Sequence, residues 1–386
     1  MISSPHGYYT VNNQIYVNKA EALYDSKGNP VTWNYNDTIF SALDWTKRPT
    51  GTLKDLYKER AQQLRDKYDY LVINFSGGAD SWNVLNAFLS NNIKIDEIFT
   101  RWARAERKYR DANNVNISEE NLGSEFEYAV LPVLEQIKKT HPEINIVIND
   151  YSDGFTKEFE ERQILQSNQY QMMPSPFRFT RKSEFELIAE KHNKSVGIVY
   201  GCDKIRCCVI NGDFYSYFLD CIGGNNLDPS RTFEVFYWST EFPQLPILQA
   251  HEIKDYLKES INDKSLGFAK DLEENQSLQY NRFQSYRDLY IKICYPEYDN
   301  NTFQVLKGWG GLICKSDLWI PKFNPRYYQS WKWNTDQLYN SIDKKFMSMH
   351  HNVKNLVVGF KPIPSKKYLI EKNCGIPDIM WEGLNL

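Results

Sequence analysis

The sequence predicts an α/β fold: a Rossmann-like parallel sheet followed by a largely helical second half. Three observations carry this. The apolar run Leu71-Val72-Ile73-Asn74-Phe75 enters Ser76-Gly77-Gly78-Ala79-Asp80-Ser81, and a helical pattern starts at once. A second strand pattern, Glu97 to Trp102, comes after that helix, which makes a βαβ unit with a right-handed crossover. A third, Val196 to Tyr200, ends in Gly201 and then charged residues, so the strand-and-turn arrangement recurs. The chain has 386 residues, enough for one large domain or two ordinary ones. The expected division is an N-terminal hairpin and turn segment over 1–52, an α/β domain over 53–210 and an α+β region over 211–386.

The elements follow in order. Residues 8–11 and 14–17, split by Asn12-Asn13, read as a hairpin. A short helix is expected over 20–24 and a turn over 26–30. Residues 53–68 carry a helical stripe of Leu53, Leu56, Tyr57, Ala61 and Leu64, with Thr52 as cap. The charges Lys54, Asp55, Lys58, Glu59 and Arg60 are expected to face solvent. Residues 82–89 form the helix after the glycine turn. A long helix kinked at Pro132 is expected over 119–139, and a strand over 144–149. Helices are expected over 155–166 and 183–192, then the strand ending at Tyr200. Beyond it, Asn211-Gly212 predicts a hairpin, 233–238 a strand, and 247–257 and 283–293 helices.

Composition narrows the function. Net charge is −3 with mixed signs, which excludes a nucleic-acid-coating protein but not a local basic patch. No run is long and apolar enough to span a bilayer, and residues 1–10 lack the features of a secretion signal. The seven cysteines are scattered and odd in number, which points to a reduced, cytoplasmic protein. Cys202, Cys207, Cys208 and Cys221 lie near one another, but without paired Cys-x-x-Cys spacing. Buried thiols are the favoured reading over metal or redox chemistry.

The glycine turn carries the chemistry. Gly77 and Gly78 let the backbone approach a ligand, and the helix start offers N–H groups and the positive end of a dipole to an anion. Ser76, Asp80 and Ser81 can cap the first turn and meet phosphate oxygens. The stretch Ser76 to Ser81, SGGxDS with Ala79 at the variable position, resembles the pyrophosphate-binding loop of the PP-loop ATPases, the adenine nucleotide α-hydrolase (HUP-type) superfamily. No Gly-Lys-Ser/Thr follows, so a Walker loop is not implied.

The resemblance implies ATP and Mg²⁺. Ser76, Gly77, Gly78, Ala79, Asp80 and Ser81 would hold the phosphates, with Asp80 binding Mg²⁺ or fixing the loop. Backbone near Thr100, Arg101 and Trp102 would hold the adenine. Arg101 and Arg104 contact phosphate or substrate, or are ordinary surface arginines. After the later strand, Gly201, Asp203, Lys204 and Arg206 look like the element that supplies basic groups to the leaving pyrophosphate. Asp203 would orient Lys204 or bind Mg²⁺. Lys204, Arg206 and Asp80 are the candidate catalytic residues.

The implied activity adenylates a substrate oxygen, releases pyrophosphate and precedes amidation or thiolation. The acceptor, a small molecule or a nucleic acid, stays open. The layout is most similar to the synthetase half of asparagine-synthetase-like proteins, without a glutaminase half. Two alternatives stand beside it. A sulfonucleotide-reductase-like enzyme needs a nucleophilic cysteine, for which Cys374 is the candidate, in a different sequence context. A non-catalytic nucleotide-binding or structural protein, virion-associated if phage-encoded, would keep the fold and lose turnover, with a homo-oligomer or virion partner. In the second half, Gly308-Trp309-Gly310-Gly311 reads as a turn, and the aromatic and basic stretches 323–328 and 331–333 as packing.

Overall fold

The computed structural model describes residues 7–102, 125–150, 182–201, 204–220, 231–262, 290–298, 347–349, 358–360 and 362–378, with 340 and 342 besides. The chain opens as the predicted hairpin, β1 (Tyr8–Val11) and β2 (Gln14–Tyr16). Its turn residues Asn12 and Asn13 both have positive φ, which asparagine tolerates and a hairpin of this twist requires. Helix α1 (Lys19–Ser26) starts under Asn18, whose side chain accepts from the Ala20 and Glu21 N–H groups. β3 (Thr32–Asn34) then pairs with the free edge of β1 and makes a three-stranded sheet. A single turn, α2 (Asp37–Phe40), buries Phe40.

Helix α3 (Leu53–Lys67) is closed by a capping box. The Asp55 N–H donates to Thr52 Oγ1 at 3.2 Å, and the Thr52 N–H donates to Asp55 Oδ2 at 3.0 Å. Its predicted apolar stripe is buried. Arg60 is a correction: it is fully buried rather than solvent-facing. Its guanidinium donates to the Val235 and Phe236 carbonyls and to Glu234, so its charge is met by groups 174 to 176 positions away.

β4 (Tyr70–Asn74), α4 (Ala79–Leu89) and β5 (Glu97–Trp102) form the predicted βαβ unit. A π-helical turn (Phe126–Val130) leads into α5 (Leu131–Thr140). Pro132 comes just after that π-helical turn within a continuous helical run from 125 to 140, and the widened turn is where the ladder adjusts next to the proline. β6 (Asn145–Asp150), α6 (Glu184–Lys191, capped by Ser183) and β7 (Val196–Tyr200) follow. β8 (Arg206–Ile210) and β9 (Asp213–Tyr217) are joined by Asn211-Gly212, both at positive φ. Then come β10 (Thr232–Val235), α7 (Gln244–Asn262), β11 (Met347–Met349), β12 (Val358–Phe360) and β13 (Tyr368–Glu371).

Five strands form one parallel sheet in the order β10-β7-β4-β5-β6. Counted along the chain, that is 5-4-1-2-3, a doubly wound order whose direction reverses between β4 and β7. Leu71, Ile73, Phe75 and Ile98 join Leu64, Val84 and Phe88 of α3 and α4 in the main core. Tyr70, Val72, Phe99 and Ile198 pack with Ala189 of α6 on the other face. Successive residues alternate between the two faces, so the central strands are buried throughout. The sheet takes its outer strand β10 from beyond residue 210.

The described residues beyond 210 also hold the antiparallel sheet β13-β9-β8 and the pair β11-β12. Among the described residues this part is mixed α and β, and much of the half expected to be largely helical lies outside them. The expected helix over 155–166, the stretches 308–311, 323–328 and 331–333, and residues 119–124 and 283–289 of two other expected helices lie outside the described residues. Among the described residues, no helix is long and apolar enough to cross a membrane.

Candidate functional site

The sheet reverses its winding between β4 and β7, and the loops leaving these two strands face each other there. After β4, Gly77 turns with φ +79°. A side chain at Gly77 is barred twice, by that φ and by Val130, whose Cγ2 would lie 2.8 Å from an added Cβ. Gly78 is the N-cap of α4, and no side chain caps the helix there. This corrects the expectation that Ser76, Asp80 or Ser81 caps the first turn. The Ser81 hydroxyl instead donates to the Gly78 carbonyl (3.0 Å) and accepts from the Ser76 N–H (3.2 Å). Ser81 is buried, Ser76 exposed and Ala79 packed into the core. The loop therefore holds its own shape, and no side chain takes the first N–H groups of the helix.

After β7, Gly201 lies directly against that helix start. An added Cβ would come within 2.7 Å of the Asp80 carbonyl oxygen and 2.9 Å of the Ser81 Cα. Glycine at 201 thus serves close backbone packing, which brings Lys204 to the loop. Lys204 is almost fully buried, and its Nζ donates to Asp80 Oδ1 at 2.9 Å. Tyr295 donates to the same oxygen at 2.7 Å. Tyr237 donates to the Asp80 backbone carbonyl at 2.8 Å and accepts from Asn83 at 3.0 Å. Burial, and next the Asp80 charge, push both tyrosine hydroxyls well above the usual range, so both stay donors.

The remaining candidates divide. Arg206 begins β8, and its guanidinium lies 5.9 Å from the Tyr290 ring centroid, on the antiparallel sheet. Asp203 and Cys202 lie outside the described residues. Thr100 is buried beside the end of β4, and its hydroxyl has no hydrogen-bond partner among the described residues. Arg101 is half-buried, in register with Asn149. The Trp102 ring stacks on Phe126 at 4.3 Å. Arg104 lies outside the described residues.

Cys207 and Cys208 are buried in β8, and burial raises both thiols, Cys208 to about 12. Such thiols are poor nucleophiles and metal ligands. Cys374 is buried too, its N–H bonded to the Gly212 carbonyl at the β8–β9 turn. That turn is a strand's length from Arg206. A separate cleft flanks the later turns of α4, lined by Lys54, Tyr57, Asn83, Asn86 and Glu297. Its lysine and Asn86 both bond Glu297 at 2.7 Å, so its polar groups satisfy one another.

The residues missed by sequence reasoning are Tyr237, Tyr295 and Asn83. Only their position in space marks them. No family model matches the chain, and no curated protein or solved structure matches it either.

The arrangement fits a polyphosphate. It has an uncapped helix start, a glycine turn and, among the described residues there, the part-exposed carboxylate of Asp80, at the carboxyl ends of parallel strands where the winding reverses. One carboxylate is also what Mg²⁺ needs when phosphates supply its other ligands.

Proposed function

We propose that this is an ATP-pyrophosphatase-type enzyme of the PP-loop kind, on a HUP-type sheet. It would adenylate an acceptor oxygen before amidation or thiolation. The observation that carries the reading is the uncapped α4 start, set by Ser76-Gly77-Gly78 at the winding reversal and faced by Asp80 and Lys204. The loop N–H groups would take the β- and γ-phosphates, and Ser76 would donate to a phosphate oxygen. Mg²⁺, held by Asp80 and the phosphates, would offset the charge of the leaving pyrophosphate.

In the reaction, an acceptor carboxylate or carbonyl oxygen attacks the α-phosphorus, and the bond to the bridging oxygen breaks with release of pyrophosphate. An amine, ammonia or a sulfur nucleophile then displaces AMP. Positioning and fixed charge do most of the work in such a step. Lys204 contributes through Asp80, and Arg206, two residues on, sits against the Tyr290 ring.

The test is exchange of labelled pyrophosphate into ATP with Mg²⁺, with and without a metabolite extract, for wild type and Ser81→Ala. Exchange that needs the extract and is lost in the variant is expected, and fractionating the extract leads to the acceptor. Absence of exchange together with absence of ATP binding by calorimetry would sink the proposal.

A further inference from the structure

The Asp80 carboxylate is engaged on one side. Lys204 Nζ and Tyr295 OH both donate to Oδ1, and among the described residues nothing donates to Oδ2. The side chain as a whole is 30 % exposed, although its two donors are buried. Tyr295 reaches this oxygen from 215 positions downstream. Its ring is fixed by Tyr237 (5.5 Å) and Tyr57 (6.4 Å), and the Lys204 ammonium lies 5.7 Å from its centroid.

A lysine is a mobile point charge, whereas a wedged phenol has one place for its hydroxyl. With two donors on Oδ1, rotating the carboxylate would break both bonds. The orientation of the other oxygen is therefore set in advance.

We propose that Tyr295 is a positioning residue: by holding Oδ1 of Asp80, it presents Oδ2 to a divalent cation carried by the bound polyphosphate. This rests on the nucleotide reading above. The region beyond residue 211 then completes the loop site through this hydroxyl. Its removal should weaken metal–nucleotide binding without touching the phosphate contacts of the loop backbone.

The experiment is calorimetric titration with Mn²⁺·ATP, and separately with ATP in EDTA. It uses wild type, Tyr295→Phe, Asp80→Asn and the double variant. Both substitutions keep side-chain volume, and a cooperative melt checks that each protein is folded. Tyr295→Phe should weaken Mn²⁺·ATP binding about tenfold, the scale of one hydrogen bond to a charged group. Binding of metal-free ATP should stay within about twofold. In the Asp80→Asn background, loss of the hydroxyl should add nothing, because the two act as one unit.

An equal loss in both titrations, an additive loss in the double variant, or an unchanged Mn²⁺·ATP affinity would each overturn the positioning role. A wild type that binds ATP in neither titration would instead overturn the nucleotide reading, and this inference with it.

Discussion

Two charged clusters sit at opposite ends of the parallel sheet, and they are built differently. At the amino ends, the first residues of β4, β5 and β6 bring Tyr70, Glu97 and Asn145 together. Glu97 Oε2 accepts from Tyr70 (3.0 Å) and Ser183 (2.6 Å), while Oε1 has no partner among the described residues. Beside it Arg231, just before β10, grips Glu186 with two bonds of 2.9 and 2.6 Å. Glu97 and Glu186 are both sealed from water. At the carboxyl ends, Asp80 is held from one side only and remains part-exposed. A cluster that ties elements together is closed on all sides. One arranged for a ligand keeps an open face, at some loss of stability.

Four changes would break or sharpen this contrast. The largest effect is expected from Arg231→Ala, which leaves the Glu186 carboxylate buried and unpaired. It should cost about 3–5 kcal/mol, read as a lower urea midpoint. Gly201→Ala should come next, because its methyl group would strike the backbone at Asp80 and Ser81. Overpacking of this kind costs about 1–3 kcal/mol, and here it should also displace the helix start, so calorimetry should show lost ATP binding.

Lys204→Met should be milder for the fold and severe for the ligand. The carboxylate left behind is 30 % exposed and still held by Tyr295, so water screens it and the cost should stay at about 1 kcal/mol. Urea unfolding should barely move while Mn²⁺·ATP affinity drops. If Lys204→Met destabilises as much as Arg231→Ala, the two clusters do not differ in kind.

The smallest effect is one of pH. Burial lifts the Glu97 carboxyl above its ordinary value, and the bonds from Ser183 and Tyr70 offset this only in part. The folded state then keeps a proton that the unfolded chain gives up. Stability should fall as pH rises from the ordinary glutamate range through the raised value. Glu97→Gln should flatten that slope in urea midpoints measured across the window.

The βαβ core was readable because local signals agree there. Apolar runs of strand length, a glycine pair and helical periodicity all point the same way between Leu53 and Trp102. The same holds for β7 and for the Asn211-Gly212 hairpin. What escaped depends on partners far along the chain. Arg60 looks like a surface charge within its own helix, and only Glu234 and two distant carbonyls make its burial tolerable. β10 reads as a strand, but nothing in its own residues says which sheet it joins. Tyr295 is one of 26 tyrosines, with no motif around it to set it apart. The glycine loop was legible, and the groups that hold its carboxylate were not.

Asp220 carries a consequence for how the chain is made. Its buried carboxylate is met by Lys19 at 2.6 Å, by the Tyr9 hydroxyl at 2.9 Å and by the Ile363 N–H at 2.8 Å. Three segments, 143 positions or more apart, thus close on one charge, and Tyr35 adds a bond to the Trp238 carbonyl. Four of the five strands of the parallel sheet, β4 to β7, have been synthesised once residue 200 is added. The sheet β2-β1-β3 is made before those strands, yet it cannot seat fully until Asp220 and Ile363 have been added. A segment translated ahead of the parallel sheet therefore settles into place after it.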